Sequence, residues 1–189
     1  EDRKDPIMLA RHNAAIAGRR VMEDSLGVCR FFTERLDHLL EAMNAASGQN
    51  YTHDSFMRAG KRIMASARLY NITSGITSRC EVPSSRYGER QPDGPFAETV
   101  HLGEILSQAR SEYFQFLGYD RTSGIPLPSR LKELGAPSYI PAALRALERE
   151  YGTARVLESF PAECEAYGFG PDMEVNPGRV RVKDSRESK

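Results

Sequence analysis

Asp24-Ser25-Leu26-Gly27-Val28-Cys29 sets one carboxylate and one thiol a few residues apart around a glycine. A carboxylate can grip an organic cofactor through charge-assisted hydrogen bonds, and a thiolate can grip iron. Such a segment can join two redox centres if other parts of the protein supply the remaining ligands. The same six residues have a plainer reading, in which Asp24 caps a helix, Gly27 breaks it and Cys29 is a small buried hydrophobe.

Other chemically capable residues are scattered. His12, His38, His53 and His101 each lack a second His or Cys at metal-ligand spacing, so they read as surface or helix-face residues. Cys29, Cys80 and Cys164 are widely spaced and odd in number, which argues against a disulfide framework and leaves free thiols or ligands. No Ser/His/Asp grouping, phosphate-cradling glycine loop or carboxylate pair supports hydrolysis or phosphoryl transfer.

The elements that must position the segment are helices. Pro6 after Asp5 predicts the first turn of an Ala-rich helix reaching about Val21, which Gly27 interrupts. From Cys29, the apolar positions Phe32, Leu36, Leu39, Leu40 and Met43 predict a second helix stopping at Gly48. Thr52 is placed to cap a third, with Phe56, Ile63, Met64, Ala67 and Tyr70 on its face before Gly75, so that an antiparallel hairpin is expected. Pro83, Gly88, Pro92, Gly94 and Pro95 break the stretch from Arg79 to Phe96 into a long loop.

A further amphipathic helix carries Val100, Leu102, Ile105, Leu106, Ala109, Tyr113, Phe114 and Leu117 up to Gly118. A turn at residues 122–126 and a short helix from Arg130 to Leu134 follow, and Pro141 and Pro161 each suit the start of another helix. No strand alternation and no repeat interrupts this pattern, so an all-α multihelical domain is expected. The residues past 170 are polar, which predicts a frayed C-terminal tail.

Composition narrows the function classes. Of the 189 residues, 40% are hydrophobic and 28% charged, and 26 Lys and Arg balance 26 Asp and Glu. Zero net charge gives no electrostatic footprint for nucleic acid or an anionic membrane, and Arg179-Val180-Arg181-Val182-Lys183 reads as a solvated run. No apolar run approaches the ~20 residues of a membrane span and no signal-peptide pattern opens the chain, so a cytoplasmic protein is expected. The chain opens on Glu1-Asp2-Arg3-Lys4-Asp5 and looks like a piece of something longer.

An ordered series of segments follows the opening motif: Gly60-Lys61-Arg62-Ile63, Arg68-Leu69-Tyr70-Asn71 with Gly75, Pro83 with Arg86, then Glu112-Tyr113-Phe114. It continues through Leu117-Gly118-Tyr119-Asp120 and Gly124-Ile125-Pro126 to Leu131-Lys132-Glu133-Leu134-Gly135. Together these resemble the C-terminal domain of the aldehyde ferredoxin oxidoreductase family. The resemblance covers about residues 5–136. It sets a family-like helical domain at residues 1–136, further helices packed on it at 137–169 and a tail at 170–189.

The family carries tungsten, or sometimes molybdenum, on a bis-pyranopterin beside a [4Fe-4S] cluster. Its Asp-x-x-Gly-Leu-Cys segment holds a pterin through the Asp and ligates the cluster through the Cys. The resemblance therefore implies that Asp24, with Ser25, Leu26, Gly27 and Val28, binds pterin and that Cys29 is the metal ligand; Val28 stands where the family often has Leu. It implies oxidation of aldehydes to carboxylic acids, with electrons passing to a ferredoxin-like acceptor. Reduction of aromatic acyl-CoA thioesters by related tungsten enzymes and a metal-free helical scaffold are the alternatives.

A [4Fe-4S] cluster is ordinarily held by four cysteine thiolates, and the family's other cluster cysteines would precede Glu1. Cys80 and Cys164 cannot imitate that closely spaced group, so no catalytic residue is assigned here and the isolated chain is expected to be inert. Its partners would be the upstream domains of the same enzyme. Arg62, Arg68 and Asn71 share one helix and suit either cofactor phosphates or, more simply, loop anchoring. Tyr113, Phe114 and Tyr119 read as core aromatics.

Overall fold

The structure, a computed structural model, describes residues 5–31, 33, 35–82, 84–85, 93 and 102–170. Among them the architecture is all-α and multihelical: α1 (Pro6–Leu26), α2 (Leu36–Ser47), α3 (His53–Thr73), α4 (Leu102–Leu117), α5 (Pro128–Glu133), α6 (Ile140–Tyr151), α7 (Thr153–Ser159) and α8 (Pro161–Ala166). An isolated antiparallel bridge pairs Tyr119 with Pro126. No described helix is long and apolar enough to cross a membrane.

Helix α1 begins where the sequence signals it, with the Asp5 carboxylate accepting from Ile7 N at 2.8 Å and Pro6 in the first turn. Its buried face is a run of small residues, Ala10, Ala14, Ala17 and Gly18, followed by Met22. Small side chains let α1 lie close against both α3 and α4. The closest approach is at Gly18 and Gly60, where a methyl on Gly60 would overlap the Gly18 carbonyl and come within 2.9 Å of its Cα. Gly60, part of the family-like series, is thus an inter-helix contact.

Two apolar clusters result. Met22, Leu36, Leu40 and Phe56 form the smaller, under the C-terminal end of α1. Ala14, Ala17, Ala65, Leu69, Phe114, Leu131, Leu144 and Leu147 belong to the larger, joined by Val156, Cys164 and Phe169 from the end of the described chain. Leu144 and Leu147 point inward as their spacing predicts. Phe114 and Tyr119 are buried and Tyr113 packs beside them.

Three expectations need adjustment. Helix α1 runs past Val21 to Leu26. Helix α2 starts at Leu36 rather than Cys29, because the chain leaves α1 through a left-handed Gly27 and is held by Thr33 before it can rewind. The principal partner of α3 is α1 rather than α2, so the predicted hairpin is the lesser contact. Helix α7, which carries no proline or cap signal, is an addition. The predicted loop from Arg79 to Phe96 falls largely outside the described residues, as do His101 and the tail from 171 onward.

Arg68 ties the later segments to α3. Its Nε donates to Gly124 O at 3.1 Å and its Nη2 to Ser123 O at 3.2 Å, while Nη1 pairs with Glu81 and the guanidinium lies 5.1 Å from the Phe114 ring centre. Gly124, at φ +68, leaves no room for a side chain between Arg68 and Phe114. Loop anchoring is therefore the role of Arg68. Arg62 and Asn71 on the same helix are exposed.

Candidate functional site

The last turn of α1 ends in a Schellman arrangement: Gly27 N donates to Asp24 O at 3.2 Å and Val28 N to Glu23 O at 3.1 Å. Gly27 takes φ +69, and a methyl added there would touch nothing within 4 Å. Its need for glycine is conformational, not a matter of close approach. The helix end thus uses the amides of Gly27 and Val28, and Ser25 Oγ donates back to Val21 O at 2.7 Å. What the segment leaves facing outward is the carboxylate of Asp24, with 63% of its side chain exposed, and the exposed free thiol of Cys29.

Asp24 does not cap the helix, and Cys29 is not buried, so the plainer reading of those two residues fails. Arg30 Nη2 reaches both Asp24 oxygens, at 2.7 and 2.6 Å. Both partners are about half exposed or more, so this pair contributes little to stability and is free to exchange.

The neighbouring carboxylate behaves differently. Glu23 is 2% exposed. Its Oε1 accepts from Arg19 Nε at 2.7 Å and from Thr33 Oγ1 at 2.6 Å, and Arg30 Nε stands 3.9 Å from Oε2. Arg19 also donates through Nη2 to the Thr33 carbonyl. A buried carboxylate is tolerated only with such partners, and removing one typically costs about 3–5 kcal/mol. Sequence reasoning passed over this group. The available signal was the Arg19/Glu23 spacing of one helical turn, which ordinarily marks a weak surface pair.

Among the described residues, no group of three or more His, Cys, Asp or Glu side chains is arranged to hold a metal ion. His12, His38 and His53 are exposed and separate on three helices. Cys80 is exposed in a short turn and Cys164 is buried, its thiol shifted upward by burial and by nearby Glu163. A cleft of about 280 Å³ edged by Asp120, Leu127, Tyr151, Arg155 and Phe160 includes none of the residues singled out for cofactor or metal. Large apolar side chains stand uncovered beside the candidate segment: Leu26 and, at 91% exposure, Phe31.

Residues 4–136 match the family model described as aldehyde ferredoxin oxidoreductase, domains 2 and 3. The chain belongs to the aldehyde ferredoxin oxidoreductase family. It is 31% identical over 121 residues to a tungsten-containing aldehyde ferredoxin oxidoreductase of Pyrococcus furiosus, an alignment covering 61% of this chain and 19% of that protein. The proteins of the same name from Pyrococcus horikoshii and Thermococcus kodakarensis are 31% and 28% identical, each over 62% of this chain and 19% of their own length. The chain therefore spans about a fifth of the curated relatives it matches. No solved structure matches it significantly.

The donor set at the end of α1 fits a pterin beside an iron-sulfur cluster: an outward carboxylate to accept N–H bonds and an outward thiol to bind iron, on one short segment anchored by its own backbone.

Proposed function

We propose that this chain is the helical, cofactor-facing part of a tungsten-dependent oxidoreductase that converts aldehydes to carboxylic acids and passes electrons to a ferredoxin-like acceptor. When bound, the metal-pterin and the [4Fe-4S] cluster supply the redox chemistry. The chain's own contribution is to hold. Asp24 accepts pterin N–H groups, each charge-assisted bond contributing about 1.5–3 kcal/mol, and Arg30 yields its place on that carboxylate as they arrive. Cys29 supplies one thiolate of the cluster's set, the other ligands coming from upstream domains.

One observation carries this reading. In a chain whose residues 4–136 match the family, Asp24 and Cys29 are both exposed while the amides between them are used within the chain. Exposed Leu26 and Phe31 support contact with the upstream domains. The shared core of α6, α7 and α8 with α3 supports taking residues 137–169 as helices added to the family-like region.

The test is metal content in the intact parent enzyme. Cys29→Ala is expected to lose most of the cluster iron, and Asp24→Asn to lower tungsten retention about tenfold, the equivalent of one charge-assisted bond. Iron unchanged in the Cys29→Ala enzyme would remove the ligand assignment. For the isolated chain the expectation is no stoichiometric tungsten and no aldehyde oxidation.

A further inference from the structure

We propose that buried Glu23, next to the pterin-anchoring Asp24, is the positioning residue for residues 27–31 and Thr33. The geometry is a clip. Helix α1 ends at Leu26 and the chain turns at Gly27, so Cys29 and Arg30 lie in a short excursion with two closures. The first is the pair of backbone bonds at Gly27 and Val28. The second is at Thr33, where the Glu23 carboxylate accepts from the hydroxyl and Arg19, oriented by the same carboxylate, donates to the backbone carbonyl.

One carboxylate thus fixes Thr33 through both its side chain and its backbone. It also stands 3.9 Å from Arg30 Nε, the arginine whose other end holds Asp24. Glu23 thus bears on where Arg30 stands, while the hold that matters for the segment is the one at Thr33. A surface ion pair could not do this, because its partners would exchange with water. At 2% exposure Glu23 has no such alternative.

This inference rests on reading Asp24 and Cys29 as the ligand-bearing residues, and its test separates the two. A nitroxide label is placed on Cys29 in this chain with Cys80→Ser, Cys164 being buried. Glu23→Gln keeps the shape and removes the charge; Thr33→Val removes the hydroxyl alone. Both are expected to shorten the label's rotational correlation time about threefold, as a segment released from its clip gains freedom, while Asp24→Asn leaves it unchanged. Should Glu23→Gln fail to fold, Thr33→Val carries the test.

Unchanged label mobility in the folded variants overturns the positioning role. In the intact enzyme, Glu23→Gln is expected to release iron to a chelator about tenfold faster, the usual scale for a residue that orients a ligand; release at the parent rate overturns the link to the metal. Loss of iron in Cys29→Ala with a label indifferent to Glu23 defeats the clip alone. A label mobilised by Glu23→Gln with iron intact in Cys29→Ala defeats the ligand reading alone.

Discussion

Two of the arginine-carboxylate networks among the described residues end differently. Around Arg68, 12% exposed, every contact is internal: Glu81, two carbonyls of the 123–124 turn and the face of Phe114. At the end of α1, Glu23 is enclosed in the same manner, but Asp24 beside it is turned outward with an exchangeable partner. The first network lies over the large core and the second over the four-residue cluster of Met22, Leu36, Leu40 and Phe56. Polar groups that the fold saturates by itself are architecture; a carboxylate and a thiol left facing out on an otherwise satisfied segment are what the fold offers to something else.

Four substitutions grade this contrast. The largest effect is expected at the crossing that serves both regions: Gly60→Ala forces a methyl into the Gly18 backbone, so α1 and α3 must part, at a cost of about 3 kcal/mol read from the urea midpoint. Next is Arg68→Met, which leaves two buried carbonyls and Glu81 without their donor and should cost about 2–3 kcal/mol. Asp24→Ala in this chain should change stability by less than about 0.5 kcal/mol. Equal losses at Arg68 and Asp24 would erase the distinction between a closed and an open network. Gly27→Ala falls between, at about 1 kcal/mol for placing a side chain in the left-handed region.

These differences also explain what the sequence discloses. Proline at helix starts, glycine at helix ends and apolar spacing locate most elements, because those signals act within one turn of chain: Pro6, Gly48, Gly118 and Gly135 all stand at or just past helix boundaries. The start of α2 is hidden, because the hold on Thr33 ahead of it comes from Arg19 and Glu23 on another element. The same is true of the candidate site. Asp24 and Cys29 are visible as a motif, whereas burial of Glu23 is a tertiary fact with no local pattern to announce it.

The 120–123 turn provides the most discriminating measurement, since it is a closed network that titrates. Asp120 Oδ1 accepts from Ser123 N at 2.7 Å, Ser123 Oγ at 2.6 Å, Thr122 N at 3.2 Å and Tyr151 Oη at 2.6 Å. Burial pushes its carboxyl up, but these donors outweigh burial and hold it below the usual value. A depressed carboxyl means that the unfolded chain binds the proton more readily. The stabilisation is complete above the unfolded value of about 3.9 and is lost as pH falls through the lower folded value. Because Asp120 is only half-buried, the contribution is about 0.5–1 kcal/mol. Asp120→Asn keeps an acceptor and removes the charge, so its stability deficit should be constant from pH 7 to 5 and shrink below pH 4. Tyr151 supplies the opposite arm: burial, and then its bond to Asp120, push its hydroxyl up to about 12. Its contribution is therefore full below about 10 and lost as pH rises through the folded value. A deficit in Asp120→Asn that stays constant down to pH 3 would mean that the turn is held by hydrogen-bond geometry alone, and that charge matters only in the network that faces outward.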